Sequence, residues 1–213
     1  MKCKVTTAMQ KRQARFRRMD RRWYDEVYSQ DALGSGGYSE DSEKCIYYPV
    51  WQRILSTISA NERIADFGCG VGQFAQLAIR CGKQYVYGVD FSRVAIERAR
   101  ELNPAHASLF HVGDLRLSES FAFEDYDVAV FLETLEHLED DLSALSRILV
   151  RRRCVVTLPN FDYTSHYRFF DTVDACVSRY NDLLSVTRQD EVALRAPQEE
   201  RVIKIWILDG VRR

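Results

Sequence analysis

From residue 63 onward, short apolar runs alternate with stretches whose apolar residues recur every three or four positions. The runs Ile64–Phe67, Gln84–Val89, Ala107–Val112, Tyr126–Leu132 and Cys154–Leu158 read as strands. Tyr126–Leu132 is nearly all apolar, as in a parallel strand covered on both faces. Between the runs, Gln73–Ile79 and Arg93–Leu102 carry helical periodicity; Ser92 is placed to cap the second, which ends before Pro104. A further helix opens at Glu139-Asp140-Asp141, whose acidic residues suit the positive end of a helix, and runs to about Leu149. A helical segment over 165–179 is followed by Leu183–Arg188 and Val202–Leu208, which read as a terminal strand pair. This alternation predicts an α/β chain with helices on both faces of a mostly parallel sheet.

The first 62 residues follow a different pattern. Lys11, Arg12, Arg15, Arg17, Arg18, Arg21 and Arg22 form a basic arm, which is either solvated or a contact for an anionic partner. Residues 23–62 are rich in Trp and Tyr (Trp23, Tyr24, Tyr28, Tyr38, Tyr47, Tyr48, Trp51), broken by Gly34-Ser-Gly-Gly37. A helix over 48–58 follows from Pro49 and the spacing of Val50, Ile54 and Ile58. We therefore divide the chain into a basic, aromatic-rich helical cap over 1–62 and a ligand-binding domain over 63–213.

Net charge is −1 and hydrophobic content 46%, so bulk composition draws the chain toward neither nucleic acid nor membrane. No apolar run reaches the ~18 residues of a spanning helix. Six scattered cysteines contain no C-x-x-C pair. The expected setting is cytoplasmic, with reduced thiols.

In an α/β sheet ligands sit beyond the carboxyl ends of the strands. Those ends supply Asp66 with Gly68, Gly70 and Gly72; Asp90; Gly113-Asp114; Glu133 with Glu136 and His137; and Pro159-Asn160. Asp90 suits two ribose hydroxyls, a trait shared by nicotinamide and adenosylmethionine sites. A dinucleotide G-x-G-x-x-G pattern counted from Gly68 fails at Gln73, whereas Gly70-x-Gly72-x-x-Ala75 meets a looser form. Asp66 favours a cationic ligand group, and Asp114 is positioned to accept from an adenine amino group. Together they favour a sulfonium cofactor over a dinucleotide.

At these residues the chain resembles the class I S-adenosylmethionine-dependent methyltransferases. The resemblance runs over about residues 63–160, through Asp66-Phe-Gly-Cys-Gly-Val-Gly72, Val89-Asp90-Phe-Ser92, Gly113-Asp114 and Phe131-Leu-Glu-Thr-Leu-Glu-His-Leu138. It implies a Rossmann-like, doubly wound, mostly parallel seven-stranded sheet with an antiparallel C-terminal strand pair. It also implies S-adenosyl-L-methionine, converted to S-adenosyl-L-homocysteine, held by Asp66, Gly68, Cys69, Gly70, Gly72, Asp90, Phe91, Asp114, Leu115 and Leu132. Asp90 would bind ribose, Phe91 would pack on adenine and Asp114 would meet its amino group. Many members have Pro-Gly-Gly before the fifth strand; here Val150-Arg-Arg-Arg153 stands there, so that turn must be built differently.

Glu133, Glu136 and His137 would share one face of a helix. Similar E-x-x-E-H elements in ubiquinone-pathway O-methyltransferases and small-RNA 2′-O-methyltransferases imply a divalent metal, with His166 a candidate fourth ligand. Many metal-free members carry Glu-His-Leu here, and a metal-free site is the reading we favour. His137 is then the first candidate for general base, ahead of His166 and Glu133. Tyr24, Tyr28 and Tyr38 are candidates to close over the sulfonium. The expected acceptor is a small molecule or glycan, methylated on oxygen or nitrogen. The alternatives are an RNA 2′-O-methyltransferase, a non-catalytic cofactor-binding partner protein and a nicotinamide-dependent reductase. The sequence carries no signal for oligomeric state.

Overall fold

The structure is a computed structural model that describes residues 20–30, 41–195 and 202–213. The basic residues 11–18, Gly34–Gly37 and Tyr38 lie outside the described residues.

The helices are α1 (Arg21–Gln30), α2 (Tyr48–Leu55), α3 (Gln73–Arg80), α4 (Arg93–Leu102), α5 (Asp141–Ser146) and α6 (Val173–Tyr180). The strands are β1 (Arg63–Phe67), β2 (Gln84–Asp90), β3 (Phe110–Val112), β4 (Val128–Phe131), β5 (Arg153–Pro159), β6 (Leu184–Arg195) and β7 (Val202–Arg212). They form one seven-stranded sheet of order β3-β2-β1-β4-β5-β7-β6. β1 to β5 run parallel, and β7 is inserted antiparallel to both β5 and β6. This is the Rossmann-like sheet with the C-terminal antiparallel pair that the resemblance implied.

Alternation along the strands divides the core into two layers. Ile64, Val128, Val130 and Val155 face one side, where they pack with Ile54 and Leu55 of α2, Phe74 and Leu77 of α3, and Ile96 of α4. Ala65, Phe67, Ala129, Phe131, Cys154 and Val156 face the other, with Leu145 of α5 and Tyr180 of α6. Phe67 is fully buried and stacks between Phe121 and Phe131, ring centroids 5.0 and 5.3 Å away. The helix α2 thus packs in the same layer as β1.

Several local expectations change. β4 spans only Val128–Phe131 of the expected run 126–132. The segment of Glu133, Glu136 and His137 is not a regular helix: Glu133 takes φ 50° and only Leu135–His137 makes a single 3₁₀ turn. The helix expected over 165–179 begins only at Val173, capped by Thr172. The helix expected from Glu139 to about Leu149 runs only over Asp141–Ser146, capped by Asp140, which accepts from the Ser143 N–H at 3.1 Å. Before β5, Arg151 takes a left-handed conformation, at φ 70°, so this turn is built without glycine.

Phe67→Ala removes a fully buried ring and should cost about 3–5 kcal/mol of unfolding free energy, read from urea melts. A loss below about 1 kcal/mol would contradict this packing.

Candidate active site

The carboxyl ends of β1, β2 and β4, with the loop after β3, surround an open cleft of about 910 Å³. Gly68, Asp90, Phe91, Asp114, Leu115, Glu133 and His137 line it, and so do Tyr24, Arg116, Thr134, Leu138, Glu139, Ser165 and Tyr167. The loop after β1 is held by backbone: Gly68 and Cys69 N–H groups both donate to the Val89 carbonyl, at 2.8 and 3.0 Å. Gly68 adopts φ 94°, and a Cβ there would lie 2.4 Å from Thr134. Only glycine lets the first loop and the loop after β4 approach this closely.

Asp90 ties the loops together. Its Oδ2 accepts from the Gly70 N–H at 3.1 Å and its Oδ1 from the Ser92 N–H at 2.9 Å. Each oxygen keeps acceptor capacity for a ligand hydroxyl. Burial raises this carboxyl to about 6, against the pull of those two amides. Asp66 is buried beneath the loop; Tyr85 donates to its Oδ2 at 3.3 Å, while Oδ1 has no hydrogen-bond partner among the described residues. Burial lifts Asp66 to about 8.

The expected adenine acceptor is already engaged. Arg116 grips both oxygens of Asp114, Nε at 2.9 and 3.0 Å and Nη2 at 2.5 Å, and its N–H adds a bond of 2.9 Å. The net effect keeps Asp114 below the ordinary carboxylate value, although burial opposes it. Asp114 is thus an ionised acceptor with a fixed orientation. Cys69 and Leu132 pack into or against the apolar core and do not line the cleft.

Glu136, His137 and His166 converge, with the Glu133 carboxylate near enough to act on Glu136 electrostatically. A ligand atom each from Glu136, His137 and His166 lie within 4.8 Å of one another. The carboxylates of Glu133 and Glu136 are buried, and none of their four oxygens finds a hydrogen-bond partner among the described residues. Burial raises Glu133 to about 8 and Glu136 well above its ordinary value, the charge of Glu133 adding to the latter. Nδ1 of His137 is 3.0 Å from the Ser165 carbonyl and 3.1 Å from the Tyr24 hydroxyl. A carbonyl only accepts, so Nδ1 carries the proton and Nε2 keeps its lone pair. Likewise His166 Nδ1–H donates to the Phe161 carbonyl at 3.1 Å. Burial holds both imidazoles neutral, His137 well below its ordinary value and His166 at about 4.

This geometry changes the part expected of His137. Its Nε2 lies 3.7 Å from Glu136 Oε1, beyond hydrogen-bond distance, and its lowered basicity makes it a weak proton acceptor near pH 7. A neutral imidazole whose Nδ1–H is anchored to a carbonyl is instead the form that binds metals. The donor set of the unpartnered Glu136 carboxylate and two imidazoles with free Nε2 lone pairs fits a borderline divalent ion.

The helix α1 covers the cleft. Val27 and Tyr28 are buried, the Ser92 hydroxyl donates to Asp25 Oδ1 at 2.5 Å, and Arg98 donates to the Ser29 carbonyl at 3.0 Å. The Tyr24 ring meets Phe91 edge-on at 5.0 Å. Arg116, Thr134, Glu139, Ser165 and Tyr167 were not anticipated. Ser165 and Tyr167 reach the cleft through an irregular segment that periodicity does not register.

Comparison with known proteins agrees with this architecture. Residues 64–153 match the family described as "Methyltransferase domain". A ubiquinone biosynthesis O-methyltransferase of Neisseria meningitidis serogroup C (strain 053442) is 33% identical over 87 residues, 37% of this chain and 34% of that protein. The matched region thus spans about a third of that relative's length. Among solved structures, magnesium protoporphyrin IX methyltransferase from Synechocystis PCC 6803 with bound SAH superposes with TM-score 0.60 at 17% identity, covering 84% of this chain and 90% of that one. The N-methyltransferase NodS from Bradyrhizobium japonicum WM9 in complex with S-adenosyl-L-homocysteine gives 0.63 at 14% identity, covering 88% and 98%. No helix among the described residues is long and apolar enough to cross a membrane. The glycine loop, Asp90 and Asp114 thus stand at successive strand ends of a sheet that shares the fold of these methyltransferases, and residues 64–153 carry the match to a methyltransferase domain.

Proposed function

We propose that this protein transfers the methyl group of S-adenosylmethionine to an oxygen of a compact acceptor, at a site where Glu136, His137 and His166 hold a divalent ion beside the Glu133 carboxylate. The observation that carries the metal, and with it the oxygen acceptor, is the cluster of four buried, unpartnered carboxylate oxygens beside two histidines with anchored Nδ1 protons. A buried carboxylate without a counter-charge is strongly unfavourable, and a cation relieves it. The O-methyltransferase relative supports an oxygen acceptor. This replaces the metal-free reading favoured by the sequence.

When bound, the cofactor supplies a methyl group on cationic sulfur, and a divalent ion supplies Lewis acidity that favours deprotonation of a hydroxyl. The protein's part is placement. Asp66, below the glycine loop, would hold the cationic amino group of the methionine moiety. Asp90 would accept from ribose hydroxyls while its other lone pairs hold Gly70 and Ser92. Phe91 and Leu115 would flank adenine, and Asp114, fixed by Arg116, would accept from its amino group. The cleft wall of Thr134, Ser165 and Tyr167 is left for the acceptor. Alignment of acceptor and methyl group in such a site contributes about 7–11 kcal/mol in favourable cases.

Two outcomes test the reading. Asp66 is protonated below about pH 8 in the free protein and must ionise to pair with an ammonium. S-adenosylhomocysteine affinity should therefore rise with pH between 6 and 8, by up to about tenfold per unit. Asp66→Asn should bind more weakly and lose this dependence. Calorimetry at three pH values checks it, and pH-independent binding by the native chain would refute the role of Asp66.

Divalent ion binding requires ionised Glu133 and Glu136, which burial keeps protonated near pH 7. Co²⁺ titration should release protons, seen as heats that vary with buffer ionisation enthalpy, and produce visible absorption. Glu136→Gln should weaken it at least about tenfold. Undetectable Co²⁺ binding by the native chain, with turnover indifferent to EDTA, would exclude the ion.

A further inference from the structure

Arg168 lies two residues beyond His166, in the irregular stretch between β5 and α6, with its side chain 14% exposed. Its Nη1 donates to the carbonyls of Leu135 and Leu138, at 2.5 and 2.6 Å, and its Nη2 to the carbonyl of Glu139, at 2.8 Å. These carbonyls belong to the 3₁₀ turn that presents Glu136 and His137 and to the residues just after it. Nη1 also lies 3.3 Å from Asp141 Oδ2. Asp141 is itself fixed from α6, by Arg179 Nε and Nη2 at 2.7 and 2.5 Å and by the Tyr180 hydroxyl at 2.7 Å. One guanidinium therefore links the turn, the first residue of α5 and, through Asp141, the end of α6.

We propose that Arg168 is the positioning residue of the active site: it holds the Glu136–His137 turn against the Ser165–His166 segment. The alignment rests on the reading of this cluster as the acceptor-side site. The two segments meet through a small set of contacts. The Tyr167 N–H donates to the Glu136 carbonyl at 2.7 Å, and His137 Nδ1–H donates to the Ser165 carbonyl at 3.0 Å. Neither contact lies within a helix or strand that would keep it in register. Arg168 supplies the missing constraint because its rigid, planar fork reaches three carbonyls at once. A lysine, with one compact ammonium, cannot span them. The guanidinium also faces Glu136 electrostatically and opposes the effect of burial on its carboxyl. Arg168 touches neither the cofactor loop nor β2, so its loss acts on the acceptor side alone.

Nitrogen-15 NMR of the full chain tests this. In the native protein the Arg168 Nη protons should give separate, slowly exchanging signals, and His137 a single Nδ1–H tautomer. In Arg168→Lys, His137 should populate both tautomers and the Tyr167 amide should exchange at least about tenfold faster. S-adenosylhomocysteine affinity should stay within about twofold of native. Averaged, freely rotating Arg168 signals in the native chain would overturn the proposal, and that spectrum decides even if the variant does not fold. Unchanged His137 tautomer and Tyr167 exchange in a folded Arg168→Lys would also overturn it. Co²⁺ titration of the same samples separates the two readings. A native chain with a fixed His137 tautomer and no Co²⁺ binding sinks the metal and leaves the clamp. Co²⁺ bound equally by native and Arg168→Lys sinks the clamp and leaves the metal.

Discussion

The site depends on carboxyl groups buried at the ends of the central strands with almost no hydrogen-bond partners. Asp66, Glu133 and Glu136 are buried at the carboxyl ends of β1 and β4, and five of their six oxygens lack a hydrogen-bond partner among the described residues. Groups in such surroundings take up protons rather than remain charged, as the raised values of about 8 for Asp66 and Glu133 show. Their common position at the strand ends gathers these groups around one cleft, which Glu133 lines and behind which Asp66 and Glu136 are buried. The rest of the architecture fixes these groups rather than relieving them. β1 and β4 are central parallel strands, buried on both faces, so their ends cannot move independently. A cationic methionine moiety and a divalent ion are the two ligands whose charges match the two halves of this site.

The two halves are built by different physical means. On the cofactor side, backbone does the work: amides of Gly68, Cys69 and Gly70 lock the loop to β2, and glycine at 68 admits Thr134. On the acceptor side, side chains do it: Thr157 accepts from the Glu133 N–H at 2.7 Å, carbonyls anchor both imidazoles, and Arg168 gathers the turn. Backbone loops of the first kind leave a pattern of glycines at set intervals. Constellations of the second kind leave almost none.

This difference explains how much could be read from the sequence. The central strands were legible because burial on both faces dictates their apolar runs, whereas only Phe110–Val112 of the expected strand 107–112 is strand, its first half being a 3₁₀ turn. Ser92 was legible as a cap because its hydroxyl does accept from the Ala95 N–H at 3.1 Å. Asp66, Asp90 and Asp114 could be placed because strand ends locate them. The clamp of Arg116 on Asp114 was not read, since a charged residue at that spacing looks like any solvated side chain. The expected helix through Glu133, Glu136 and His137 was replaced by a left-handed residue and one 3₁₀ turn, and the convergence with His166 arises from tertiary packing. Periodicity has no access to an irregular segment such as 160–172, and Arg168 sits there.

If buried carboxylates awaiting cations are the organising feature, ligands should repay the fold directly. The most direct test is the melting temperature of the native chain at neutral pH, measured alone, with S-adenosylhomocysteine, with Mn²⁺ and with both. Each ligand at about 100 times its dissociation constant should add about 2.7 kcal/mol of stability, and the two together should give at least the sum of the separate shifts. A melting temperature moved by neither ligand would contradict the account.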